Sequence, residues 1–462
     1  MEFISCRKVH SNVDEELDLF KKHFEINGNI HCARAPGRVN IIGEHIDYCG
    51  YCVFPMAIEN DIFMIFSSCS EGNRISLRNR NSFYEDFNLD LEVDELTINI
   101  NHPKWYNYFL CGYKGIIEYA TENGIKYPKK SINVLVDGSI PPNAGLSSSS
   151  ALVVCSAMVT MKCLNLDIPK KELASLCASC ERYIGTQGGG MDQCISIMAE
   201  SGSAMIIDFG SSEINNKCVA LPNDAVFVVA NSLQQMNKAA SNQFNQRVVE
   251  SRLSAKILLK LINSKAEIKN FRRMKDVQQF LTLDSKTIVV KINELIKEKY
   301  SRQDILELLE LSDEEFSKEV LSQNTMHMME FHIKKRALHI VNEASRVEQF
   351  RDICLNESGD IHQSRQLGEL MNQSQNSLKV LYECSSDKLD ELVEICRKGG
   401  AYGSRLTGAG WGGCVISLVS KDRIDEFLNF VSENFYKKSL KDIKNEMFVT
   451  TPSGGAAFLV LS

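Results

Sequence analysis

A serine-rich loop carries the strongest chemical signal in this 462-residue chain. Pro141-Pro142-Asn143-Ala144-Gly145-Leu146-Ser147-Ser148-Ser149-Ser150-Ala151 runs directly into an apolar helical stretch, Leu152 to Met161. Small residues let a backbone approach a ligand, while serine hydroxyls and the free N–H groups of a first helical turn converge on one place. That place suits phosphate. One or two serines there would be an ordinary N-cap, but four after a Pro-Pro-x-x-Gly turn go beyond one. No Gly-x-x-x-x-Gly-Lys-Ser/Thr occurs, so any nucleotide is held by an architecture other than the Walker loop.

A second segment, Arg34 to Tyr48, crowds Arg38, Glu44, His45 and Asp47 into an expected irregular loop set by Pro36, Gly37 and Gly43. A carboxylate there can hold neighbouring hydroxyls of a polyhydroxylated ligand through charge-assisted hydrogen bonds. Taken locally, a surface ion-pair cluster or a Glu-His-x-Asp metal site competes with that reading. The third segment, Leu406 to Gly413, formally satisfies Gly-x-Gly-x-x-Gly. A dinucleotide fingerprint closes a strand and opens a helix, whereas these glycines precede the strand pattern Cys414 to Val419, so the Rossmann reading is rejected.

The elements that must position these segments are of two kinds. Short β-branched or aromatic runs, Ile30 to Ala35, Ile62 to Ser67 and Ile132 to Val136, alternate with helical patterns over Trp105 to Ala120 and Lys170 to Tyr183. Glycine is absent from Ser211 to Ser358 and proline from Asn223 to Thr451, which predicts a mostly helical middle. Strand patterns recur at Ala225 to Ala230, Cys414 to Val419, Met447 to Thr450 and Ala456 to Leu461. Two domains are expected, 1–221 and 222–462, and the charged stretch Lys265 to Lys318 reads as a solvated helical surface.

Composition narrows the function classes. Apolar residues make up 44% and charged residues 24%, a globular balance. With 52 Lys+Arg against 59 Asp+Glu, a net charge of -7 and no basic run, nucleic acid is excluded as an expected partner. Met1 to Ser5 lacks a signal-peptide pattern and the longest apolar run, Ala151 to Met161, is short for a bilayer, so a cytoplasmic protein with no membrane partner is expected. In that compartment the sixteen cysteines read as reduced small hydrophobes, and zinc at Cys49/Cys52 or Cys177/Cys180 is disfavoured.

The three segments, in this order, resemble the galactokinase, homoserine kinase, mevalonate kinase and phosphomevalonate kinase (GHMP) superfamily. Arg38 to Tyr48 resembles the galactokinase sugar signature. Within that branch, Asp47-Tyr48-Cys49-Gly50-Tyr51, Gly188-Gly189-Gly190-Met191-Asp192-Gln193, Met236-Asn237-Lys238-Ala239-Ala240 and Gly368 to Ser374 are most similar to the N-acetylgalactosamine kinases. The resemblance implies an α+β GHMP kinase fold with a ribosomal-protein-like N-terminal domain, a ferredoxin-like C-terminal domain and helical additions. It implies ATP and Mg²⁺ as cofactors, a small-molecule sugar as substrate, and a monomer.

By the same resemblance, Asp192 is the proton acceptor or hydroxyl-positioning group, and Arg38 stands beside it. Glu44, His45, Asp47, Gly189, Gly190 and Phe244 face the sugar, the glycines as a side-chain-free wall. Gly145, Leu146, Ser147, Ser148, Ser149 and Ser150 hold phosphates, Trp105 flanks the adenine, and Ser149 with Glu181 coordinates the metal. The expected reaction is anomeric phosphorylation of N-acetylgalactosamine, with galactokinase as the alternative and a non-catalytic galactose/ATP sensor as the reading from another class. The intact Ser150-Ala151 pair favours the enzyme.

Overall fold

The computed structural model describes residues 3–5, 13–25, 28–93, 96–100, 103–210, 215–235, 242–356, 361–437 and 443–460. The expected motif Met236 to Ala240 lies outside them. Two large sheets organise the rest, beside two two-stranded ones, Ser203–Asp208 with Asn215–Ala220 and Tyr300–Ser301 with Glu330–Phe331.

The larger sheet has seven strands, in the spatial order Phe3–Ser5, Ala457–Val460, His31–Ile42, Phe54–Cys69, Ser131–Gly138, Arg74–Asn79 and Phe87–Asp90. Its two long central strands pair antiparallel from His31↔Phe66 to Ile42↔Phe54. They are rich in β-branched and aromatic residues, and nearly every position is buried, as expected for a strand covered on both faces. The strand Ala457–Val460, near the C-terminus, pairs with Cys32 to Arg34, so the chain's end returns to the sheet its beginning built.

The smaller sheet is antiparallel, in the order Gly403–Thr407, Cys414–Ser420, Ala225–Asn231 and Met447–Thr450. Its side chains alternate. Val228, Ala230, Val415 and Val419 pack with Leu389, Leu392 and Val393 of the helix Asp387–Lys398, whereas Phe227, Val229, Ile416 and Leu418 enter the main core. A long helical series separates its strands, including Gln243–Ile262, Ile333–Leu355 and Ile361–Ser377. The two-residue pairing of Tyr300–Ser301 with Glu330–Phe331 interrupts this series. It is too short to leave a periodic signal.

Two local expectations are corrected. The run beginning at Arg34 is a strand as far as Ile42, not a loop, with register shifts between Pro36 and Arg38 and between Asn40 and Ile42. Bulges admit a proline and a glycine into a ladder that otherwise excludes them. The helix expected to reach Tyr183 stops at Cys180, and the turn Glu181–Ile184 tightens to a 3₁₀ helix that ends on Gly185 in the left-handed region.

Candidate active site

The helix Ser148–Leu164 is buried on almost every face, and its N-terminal Ser148 and Ser149 are half-buried where they line a cleft. The loop before it reaches that end through left-handed backbone at Asn143, Gly145 and Ser147 (φ 56°, 75° and 62°). The two glycine-bearing motifs meet here. A Cβ on Gly145 would stand 2.9 Å from the carbonyl oxygen of Thr407, and one on Gly408 2.4 Å from the carbonyl oxygen of Gly145. Backbone therefore packs on backbone, and the segment Leu406 to Gly413 acts as the buttress of the serine loop.

Leu146, Ser147, Ser148, Ser149 and Trp105 all line the resulting cleft. Trp105 donates from its indole nitrogen to the Glu85 carbonyl at 2.9 Å, which fixes its ring at the cleft wall. The Ser147 hydroxyl oxygen is buried and has no hydrogen-bond partner among the described residues. Ser150 differs from its neighbours. Its hydroxyl turns inward and donates to Glu181 at 2.7 Å, while that of Ser149 donates to the other Glu181 oxygen at 3.1 Å. Gln193 also donates to Glu181. The Glu181 carboxylate is thus buried with no Lys or Arg pairing among the described residues. A buried carboxyl group held only by neutral donors, facing the serine-loop cleft beside Ser149, fits a hard cation that takes its other ligands from phosphates and water.

A smaller pocket adjoins the cleft, lined by Glu44, His45, Asp47, Gly189, Gly190 and Phe244 among others. Glu44 is buried, and its carboxylate accepts from the Arg405 guanidinium at 2.7 Å. Burial, against the pull of Arg405 and Arg38, holds its carboxyl above the ordinary range. His45 has its Nε2 3.0 Å from the Ala409 carbonyl and its Nδ1 2.9 Å from the Tyr48 hydroxyl. A carbonyl only accepts, so Nε2 carries the proton and Nδ1 accepts from Tyr48. With Glu44 and His45 engaged in this way, the Glu-His-x-Asp metal reading fails.

The glycines serve the backbone more than the volume of the pocket. A Cβ on Gly189 would lie 2.5 Å from both the Asp47 carboxylate and the Tyr48 nitrogen, where the Gly189 N–H donates to Asp47 at 3.2 Å. Gly190 has φ +106°, and its Cβ would point at Ala178, away from the sugar-signature residues. The wall expected to make room for a ligand is set by conformation at Gly190. Phe244 is buried, with its ring centroid 5.7 Å from that of His45 and 6.0 Å from that of Tyr48.

Cleft and pocket share one wall, to which Arg38, Glu181 and Asp192 contribute. Arg38 Nε donates to Asp192 at 2.7 Å and its Nη1 to the Gly145 carbonyl at 2.7 Å. Burial alone would lower the Arg38 pKa, but Asp192, Glu44 and Asp47 together raise it, so the guanidinium stays charged. Asp192 sits in the first turn of the helix Met191–Met198 with 14% of its side chain exposed, accessible from the pocket.

Several supporting residues escaped the sequence reading. Arg405 also donates to the Asn40 carbonyl at 2.7 Å, and the Thr407 hydroxyl accepts from the Asn40 N–H at 2.9 Å. Glu343 accepts from the Gly43 N–H at 3.0 Å, and His339 donates to the Glu44 carbonyl at 3.0 Å. Tyr382 stacks on His45 with centroids 4.5 Å apart and hydrogen-bonds the Tyr48 hydroxyl. Their one sequence signal is weak: Arg405 abuts the glycine motif and Thr407 lies within it.

This geometry has counterparts. A family signature described as "Galactokinase galactose-binding signature" matches residues 18–68, and the GHMP kinase N-terminal and C-terminal domain families match 107–200 and 356–437. A galactokinase of Dictyostelium discoideum is 38% identical over 96% of this chain and 93% of its own length. One from Candida albicans is 32% identical over 93% and 90%. The crystal structure of Lactococcus lactis galactokinase complexed with galactose superposes with a TM-score of 0.71 at 26% identity, covering 96% of this chain and 99% of that one. Methanococcus jannaschii mevalonate kinase, at 18% identity and a TM-score of 0.57 over 93% and 100%, shares the two-domain α+β fold. At this identity and coverage, the chain belongs to the galactokinase family of GHMP kinases.

Proposed function

We propose that the protein transfers the γ-phosphoryl group of ATP to the anomeric hydroxyl of a galactose-configured sugar, with galactose as the acceptor. The observation that carries this reading is the Arg38–Asp192 pair in the wall common to the serine-loop cleft and the sugar-signature pocket. An acceptor hydroxyl bound beside Glu44, His45 and Asp47 lies next to Asp192. A phosphoryl group held by the N-terminus of the helix Ser148–Leu164 lies next to Arg38. The anomeric oxygen forms a bond to the γ-phosphorus as the bond from that phosphorus to the β–γ bridging oxygen breaks. The hydroxyl proton passes to the Asp192 carboxylate and ADP leaves.

Arg38 screens the charge on the transferring group and, through its Nε–H, fixes the Asp192 carboxylate in place. Ser149 and Glu181 would hold Mg²⁺, which neutralises phosphate charge when bound. We take the enzyme as a monomer acting in the cytoplasm, divided near residue 222.

N-acetylgalactosamine is a second reading, favoured by Phe244. Its ring gives the pocket an apolar edge where a phenol would need its own partner. The test is kcat/KM for galactose and N-acetylgalactosamine in wild type and Phe244→Tyr. Under the second reading the variant shifts the ratio toward galactose by about 10 to 100-fold. An unchanged ratio removes the support Phe244 lends it.

A further inference from the structure

Beyond the Gly188–Gly189 side of the sugar pocket lies another cavity, which shares Asp47, Tyr48, Gly188 and Gly189 with it. Arginines reach this cavity from three separate elements: Arg182 from the turn Glu181–Ile184, Arg252 from the helix Gln243–Ile262, and Arg272 and Arg273 from the segment before the helix Met274–Phe280. Arg273 is committed. It donates to Asp276 at 2.6 and 2.8 Å and to the Phe209 carbonyl at 2.6 Å.

The other three are not committed in this way. Among the described residues, no carboxylate lies within ion-pairing distance of Arg182, Arg252 or Arg272. Arg252 spends one N–H on the neutral Gln187 side chain at 2.5 Å. Arg252 is only partly exposed, and burial first, then the Arg272 and Arg182 charges, depress its pKa below the ordinary value. The carboxylates facing the cavity are Asp47, which accepts from Gly189, and Asp276, which is taken by Arg273.

Four guanidinium groups against two carboxylates leave the cavity with an excess of positive charge, and a bound anion relieves that cost. A carboxylate offers one charge and two oxygens. A phosphate offers close to two charges and three oxygens, which suits three guanidinium forks. We propose that the cavity bounded by Arg182, Arg252 and Arg272 is a second ligand site, which takes inorganic phosphate or the phosphate of a monoester beside the sugar pocket. The site adjoins the sugar pocket, and its ligand takes no part in the transfer step. Resting on the function proposed above, the product sugar 1-phosphate belongs to the same ligand class and serves as a second probe.

The test is calorimetric titration of the full chain with inorganic phosphate, with and without saturating galactose and a non-hydrolysable ATP analogue to fill the other two cavities. Binding is expected to persist with both cavities filled, and Arg182→Ala combined with Arg272→Ala is expected to weaken it by about 10-fold or more. Arg272 and Arg182 are exposed, so these variants should fold, and Arg272→Lys should retain part of the affinity. A parallel titration with galactose 1-phosphate separates the sources. A Kd about 10-fold below that of phosphate assigns the site to an ester, and equal values assign it to free phosphate. Absence of phosphate binding, or binding indifferent to the arginine substitutions, overturns the proposal. Because the titration reads affinity and not turnover, phosphate binding in this cavity is measurable even in a chain that fails to phosphorylate galactose.

Discussion

The imidazole of His45 donates from Nε2 to the main-chain carbonyl of Ala409 at 3.0 Å, which ties the sugar signature to the glycine motif 364 residues later in the chain. Behind this bond runs a chain of donors. Ser251 donates to Tyr382 over 3.1 Å, Tyr382 to Tyr48 over 2.5 Å, and Tyr48 to His45 over 2.9 Å. Burial holds both phenols well above their ordinary pKa, so both keep their protons and the direction of the chain is fixed.

Tyr382→Phe removes the middle of this chain and leaves the Tyr48 and Ser251 hydroxyls short of a partner. An unsatisfied buried hydroxyl costs about 1 to 3 kcal/mol. The expected result is a lower Tm together with a several-fold higher KM for sugar and a nearly unchanged KM for ATP, measured by initial rates with each substrate varied. Equal changes in both KM values would show that Tyr382 does not act through His45.

Asp192→Asn and Arg38→Ala should each lower kcat by about 100-fold or more, the scale of a lost proton acceptor or of a lost charge facing a phosphoryl group. Circular dichroism and thermal melting should show that both variants fold. Near-normal turnover in both would place the chemistry elsewhere.

Ser149→Ala takes away one hydroxyl from the cleft and one of the donors to Glu181 in the shared wall, while Ser149 itself does not line the sugar pocket. Its kcat should fall, and the Mg²⁺ concentration needed for half-maximal rate should rise, while galactose affinity measured by calorimetry stays within about twofold. A loss of sugar affinity with turnover preserved would make the loop a scaffold only.

His339 gives the fold a dependence on pH. Burial lowers its pKa to about 4, against the raising pull of Glu343 and of its bond to the Glu44 carbonyl, and the neutral ring donates to that carbonyl and accepts from Ser377. The folded pKa lies below that of the unfolded chain, so between about pH 6.5 and pH 4 the unfolded chain binds more protons. The stability from His339 is complete above that window and is lost as pH falls through it, by on the order of 2 to 3 kcal/mol. Melting curves from pH 7 to pH 4 should fall more steeply for wild type than for His339→Gln, which keeps a donor for the carbonyl. Parallel curves would contradict the assignment.

What could be read from sequence was whatever lay within one stretch of chain. The serine loop announced its phosphate chemistry because its glycine, its hydroxyls and the following helix are contiguous. The sugar signature announced its charges for the same reason. Arg405 and Tyr382 stayed hidden because each acts on residues more than 300 positions away, and no local window holds both partners. The strand through Pro36 and Gly37 was read as a loop, since both residues ordinarily break ladders and only the register shift beside them accommodates both. Gly190 was read as open space because a sequence carries no φ. In the structure its left-handed backbone turns the missing Cβ toward Ala178.

The central claim is tested most directly by incubating the purified protein with ATP, Mg²⁺ and either galactose or N-acetylgalactosamine, then identifying the product by ³¹P and ¹H NMR. The account predicts stoichiometric ADP and a single phosphorylated sugar, with phosphorus coupled to the anomeric proton, formed about 100-fold or more slowly by Asp192→Asn. ADP formation without a sugar phosphate, phosphorylation at a hydroxyl other than the anomeric one, or no reaction with either sugar would contradict it.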